Sequence, residues 1–245
     1  MLLAIAFALL GSVGALAGAA VLLRFPDAVR MRLVPCLVAY ATGTLLGAAF
    51  LGMIPKGLEQ APAVAISGTV LAGIVLFFLL EKLVLWRHCH DSDCAVHGHQ
   101  GAKLILLGDA FHNFVDGVVI AAAFLVSVPV GIATALAVIA HEIPQELGDF
   151  AILLASGMSK TRAFAVNLLS SLSTLPGVVL GWVWLDELRQ AIPFILALSA
   201  ASFIYIAVAD LVPGLHQRTG ARAAALQVVL ILAGIATIAF FRLAH

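Results

Sequence analysis

Charge is what this sequence has least of. Thirteen acidic and thirteen basic side chains make up 11% of its 245 residues, against about 25% in an ordinary soluble domain. So few charges cannot clothe a water-facing exterior, which excludes a soluble globular fold. With 63% hydrophobic residues and a mean hydropathy of +1.13, the chain belongs in a lipid bilayer. The formal net charge is zero and there is no basic surface to neutralise phosphates, which excludes a nucleic-acid partner. Three cysteines, Cys36, Cys89 and Cys94, are too few for a disulfide scaffold. A basic segment ahead of the first apolar run is also missing, so residues 1–23 read as a spanning helix and not as a secretory leader.

What the chain has in quantity is long apolar runs. At about 20 residues per span, the charge and turn clusters divide the sequence into eight: 2–23, 34–54, 64–86, 103–126, 130–155, 162–184, 191–212 and 222–243. In lipid each must satisfy its own backbone, so each is a helix. The expected fold is therefore all-α, a polytopic membrane protein with eight transmembrane helices in one bundle and a single domain over 1–245. Boundaries around Pro129 and Gly157 are soft, because turn residues interrupt apolar sequence there. Gly14 and Gly18 have the spacing for close helix contact. The one polar connection of any length is 87–102.

Lys and Arg accumulate on cytoplasmic loops. Arg24, Arg30, Arg32, Lys82, Arg87, Lys103, Lys160, Arg162, Arg218 and Arg222 fall by the connections after odd-numbered spans, and only Lys56, Arg189 and Arg242 by the other side. The expected protein is multi-pass in the cell (plasma or inner) membrane, with both termini outside the cytoplasm and loop 87–102 inside.

Ionisable groups within a spanning helix are costly, roughly 2.5–3.5 kcal/mol each on insertion scales, and so mark function. They concentrate on two spans. The fourth carries Asp109, His112, Asn113 and Asp116; the fifth carries His141, Glu142, Gln145, Glu146 and Asp149. Residues three or four apart share a helix face, so Asp109, His112 and Asp116 stack together, as do His141, Gln145 and Asp149. Facing each other, the two helices would bring one imidazole and one carboxylate each to a common point. Mixed nitrogen and oxygen donors suit zinc or iron(II) better than calcium or magnesium. Pro144 is expected to disrupt the helix bond to Ala140 beside these ligands. A polar network that merely joins two helices is the plainer alternative, but nine such groups are too many for packing alone.

His141 and Glu142 also begin an H-E-x-x-H pattern, the ligand pair and general base of zinc metalloproteases. Gln145 occupies the place of the second histidine, so an intramembrane metalloprotease is only the enzymatic alternative. The segment HCHDSDCAVHGH offers His88, Cys89, His90, Asp91, Asp93, Cys94, His97 and His99 without the spacing of a structural zinc site. It reads as a metal-collecting or sensing loop, or as a polar connector. Glu81, Asp210 and Met53 are further candidates for the ion's pathway, alongside Asp109, Glu146 and Asp149.

The segments HNFVDG (112–117), HEIPQELGD (141–149), GDAFHNF (108–114), FFLLEKL (77–83), NLLSSL (167–172) and FIYIAVADLVP (203–213) resemble the ZIP (Zrt/Irt-like) divalent metal transporters, in particular the subfamily with HNFxDG and HEIPxELGD motifs. The resemblance implies a transporter and not an enzyme, moving zinc, or iron, manganese or cadmium, into the cytoplasm; export is the alternative direction. It implies no cofactor, the divalent ion being cargo, and a homodimer in the bilayer. It assigns His112, Asp116 and His141 to one metal position and Asn113, Asp116 and Glu142 to its neighbour, with position 145 shared. Gln145 departs from the histidine or glutamate of family members, Gly52 from a frequent histidine and Ala48 from a common aspartate, which thins the donor set. Transport would depend on pH through the histidines.

Overall fold

A computed structural model of the chain describes the backbone of residues 1–88, 99–217 and 220–243, and only the backbone at 27, 81, 83–88, 99–105, 155, 186, 242 and 243. The described residues are almost wholly helical, and eight helices are long and apolar enough to cross a membrane. These are α1 (Leu2–Leu22), α2 (Ala28–Leu58), α3 (Ala63–His88), α4 (His99–Val126), α5 (Val128–Ala155), α6 (Lys160–Leu185), α7 (Arg189–His216) and α8 (Ala221–Leu243). Each coincides with one apolar run of the sequence, as expected where the bilayer leaves the backbone no partner but itself.

The soft boundaries have local causes. Pro129 sits in the first turn of α5, where its missing N–H is harmless, and Ser127 caps that turn by accepting from the Val130 N–H at 3.4 Å. Gly157, at φ 87°, takes the left-handed conformation that ends α5. Helix α5 continues through Pro144. Three helices widen into a π turn, at Leu10–Gly14, Ala48–Met53 and Ile206–Leu211, and α6 has a turn between Ser171 and Thr174.

Helix α5 is the hub, touching α1, α2, α4, α6 and α8. Helix α4 packs along the second half of α6, α8 along α2, and α3 along α7. Missing side chains make the α4–α6 contact possible: a Cβ on Gly117 would lie 2.1 Å from the Thr174 carbonyl oxygen, and one on Gly177 2.1 Å from that of Phe114. In lipid such close backbone approach replaces hydrophobic drive as the source of helix affinity. Of the Gly14 and Gly18 pair, Gly18 faces Ile143 of α5 while Gly14 meets only Leu10 of its own helix. Ala, Val, Leu and Phe from α1, α2 and α4 to α7 form the main apolar core, and Met53 lies wholly within it.

Candidate metal centre

The α4–α5 pair brings His112, Asp116, His141 and Glu142 together, each offering a ligand atom within 4.8 Å of all the others. His112 Nε2 is 3.2 Å from His141 Nε2, 3.7 Å from Asp116 Oδ2 and 3.4 Å from Glu142 Oε1. His141 Nε2 is 3.4 Å from Asp116 Oδ2 and 3.5 Å from Glu142 Oε1. Zinc bonds of roughly 2.0–2.2 Å to nitrogen and oxygen put the corners of a tetrahedron about 3.3–3.6 Å apart. Three of these five separations fall within that range and the other two lie within about 0.1 Å of it, so the cluster is close to the size a tetrahedral ion requires.

The protons agree with that geometry. His141 Nδ1 lies 3.0 Å from the Ala137 carbonyl oxygen, which can only accept, so Nδ1 carries a hydrogen and the neutral ring presents the Nε2 lone pair to the cluster. Asp116 Oδ2 and both carboxylate oxygens of Glu142 are buried without a hydrogen-bond partner. Two unshielded carboxylates would be prohibitively placed on their own; a divalent cation brings the sum of charges to zero. The Phe203 ring of α7, fully buried, stands 6.0 Å from the His141 ring as an apolar wall. The side chain of His112 is 23% exposed and the other three are at most 3% exposed, so access is from the His112 side.

Asn113 and Gln145 are held differently. Asn113 donates through Nδ2 to the backbone oxygen and Oδ1 of Asp109, and its own Oδ1 accepts from Thr174 Oγ1 at 3.1 Å. Gln145 Nε2 donates to Asp109 Oδ1 at 3.2 Å. Both amides therefore brace Asp109. Glu146, fully buried, accepts from Asn167 Nδ2 at 2.5 Å and from the Ser171 hydroxyl. Asn167, Ser171 and Thr174 of α6 thus belong to the polar centre although nothing singled them out individually in the sequence; the signal was their shared face, with Ser171 four residues after Asn167 and Thr174 three after Ser171.

Of the remaining candidates, Asp149 is half-buried on α5 and Asp210 is exposed on the π turn of α7. Met53 packs in the apolar core. Cys89, His90, Asp91, Asp93, Cys94 and His97 lie outside the described residues, and for Glu81, His88 and His99 only the helical backbone is described.

A family model described as "ZIP Zinc transporter" matches residues 86–242. The chain is 31% identical over 224 residues to the zinc transporter ZIP13 of Pongo abelii, covering 84% of this chain and 66% of that protein. It is 30% identical over 207 residues to the zinc transporter YKE4 of Saccharomyces cerevisiae, covering 72% and 60%. Over 112 residues it is 43% identical to the zinc transporter ZIP10 of Danio rerio, covering 46% of this chain and 13% of that protein. The chain thus spans less than two thirds of the length of these relatives. Their names are those of transporters and not of hydrolases, in keeping with Gln145 standing where a metalloprotease needs its second histidine. The chain belongs to the ZIP zinc transporter family.

Proposed function

We propose that this protein carries a divalent transition-metal ion, zinc foremost, across the cell membrane into the cytoplasm, and that His112, Asp116, His141 and Glu142 hold the ion in transit. The observation that carries this reading is the set of four facing ligand atoms, two imidazole nitrogens and two carboxylate oxygens, close to tetrahedral spacing, with the carboxylate oxygens buried and without a hydrogen-bond partner. Two neutral imidazoles and two carboxylates neutralise a doubly charged ion in a medium that tolerates no net charge. The donor types suit zinc, with iron(II), manganese and cadmium as lesser substrates. The site lies near the middle of both helices, where an ion is equidistant from the two surfaces, as in carriers whose helix groups rock about a central site.

Asn113 and Gln145 act in this reading through Asp109, holding α4 and α5 in register, and Gln145 supplies no charge to the ion. The test is metal accumulation by cells expressing the wild type, His112→Ala or Asp116→Ala. Uptake should rise with the wild type and fall to background with either variant. Equal accumulation by all three would remove the site from the pathway, and depletion of cellular metal would reverse the direction.

A further inference from the structure

One turn beyond the four-residue cluster, toward the ends of α4 and α5 that bear His99 and Ala155, is a second group of oxygen donors. Asp109 is 5% exposed, and its Oδ1 accepts from both Asn113 and Gln145 while its Oδ2 is buried without a hydrogen-bond partner. Side chains on a helix tilt toward its N-terminus. Because α4 and α5 are antiparallel, Asp109 tilts toward the level of Asp149, and Asp149 tilts back toward Asp109. Gln145, whose Nε2 reaches Asp109 Oδ1 at 3.2 Å, stands four residues before Asp149 and so on the same face of α5. Since the Nε2 of Gln145 is spent on Asp109, its Oε1 remains as an acceptor. A buried oxygen without a donor beside a second carboxylate calls for a positive charge between them.

We propose that Asp109 and Asp149, with the amide oxygen of Gln145, form a second cation station, separate from the His112, Asp116, His141 and Glu142 cluster, which receives the ion on its way to the α3–α4 end of the bundle. All its donors are oxygens. Lacking imidazole, it holds borderline ions more weakly than the first cluster and accepts manganese(II), so an ion that has left the nitrogen-bearing site is passed on and not trapped. This deepens the transport reading and rests on it.

The experiment uses the full chain in detergent, loaded with zinc to fill the tighter cluster, and titrated with Mn²⁺ followed by the loss of its free paramagnetic resonance signal. The wild type should take up Mn²⁺ saturably while retaining its zinc. Asp149→Asn, which leaves the Asn113 and Gln145 bonds to Asp109 in place, should weaken Mn²⁺ binding about tenfold or more, since affinity at oxygen sites follows ligand charge, and Asp109→Asn should do the same. Zinc content should be unchanged in Asp149→Asn. Absence of saturable Mn²⁺ binding by the zinc-loaded wild type, as for a carboxyl pair that shares only a proton, overturns the second station. So does undiminished affinity in both variants. Failure of the first site reads out separately, as zinc content in His141→Ala equal to that of the wild type.

Discussion

His141 is aimed by a bond made behind it. The Ala137 carbonyl, one turn back, takes the Nδ1 hydrogen at 3.0 Å, so in the neutral ring it is the Nε2 lone pair that faces Asp116 and Glu142. Glu142 has no such support: neither of its oxygens has a hydrogen-bond partner. That asymmetry makes Glu142 the residue whose charge matters most. Glu142→Gln keeps the shape and leaves the bound ion with one surplus positive charge. Breaking a buried charge pair costs about 3–5 kcal/mol, equivalent to roughly 10²–10⁴-fold in Kd. Zinc titration of the purified variant should show a loss in that range, and an unchanged Kd would place Glu142 outside the coordination shell. At this scale the sequence was informative where residues were chemically rare in lipid, as with the two histidines and their carboxylates. For Asn167, Ser171 and Thr174 it offered only a shared spacing, because hydroxyls and amides are ordinary in membrane helices and become meaningful only once α6 is known to lie against α4 and α5. The roles of Asn113 and Gln145 as braces for Asp109 were illegible for the same reason, since spacing gives the face but not the neighbour.

Helices α4 and α6 meet through backbone, and the site depends on that contact because Asp116 adjoins Gly117 and the bond from Thr174 to Asn113 crosses the same seam. A Cβ at Gly177 would sit 2.1 Å from the Phe114 carbonyl oxygen, whereas one at Gly52 would meet nothing within 4 Å. Gly177→Ala should therefore push the helices apart at about 1–3 kcal/mol, lowering the Tm in detergent and weakening zinc binding together. Gly52→Ala should leave both as they are, and equal Tm values for the two variants would refute the seam. The lengths of the helices were readable from apolar runs and turn residues, with Pro129 and Gly157 marking the ends of α5, whereas the Ser127 cap was not. The π turns at Leu10–Gly14, Ala48–Met53 and Ile206–Leu211 were not. They add one residue to a helical turn without changing the composition, so nothing in an unbroken apolar run announces them, though they are frequent at functional sites.

Across the whole molecule, polarity is arranged in two separate ways. Basic residues gather at the connections after odd-numbered spans, the asymmetry on which the proposed orientation rests, while the acidic and imidazole groups on α4 and α5 gather inside, where the proposed function gives them a cation. The first arrangement predicts that a reporter fused after His245 is found outside the cytoplasm; protection of that reporter inside intact cells would invert the topology. The second arrangement is the central claim, and zinc K-edge absorption on the purified, zinc-loaded protein tests it most directly. The account predicts a shell of two histidine nitrogens and two carboxylate oxygens at about 2.0–2.2 Å, with the histidine contribution reduced in His141→Ala. A shell dominated by sulfur at about 2.3 Å, as Cys89 and Cys94 would supply, or a histidine contribution unchanged in His141→Ala, would contradict it.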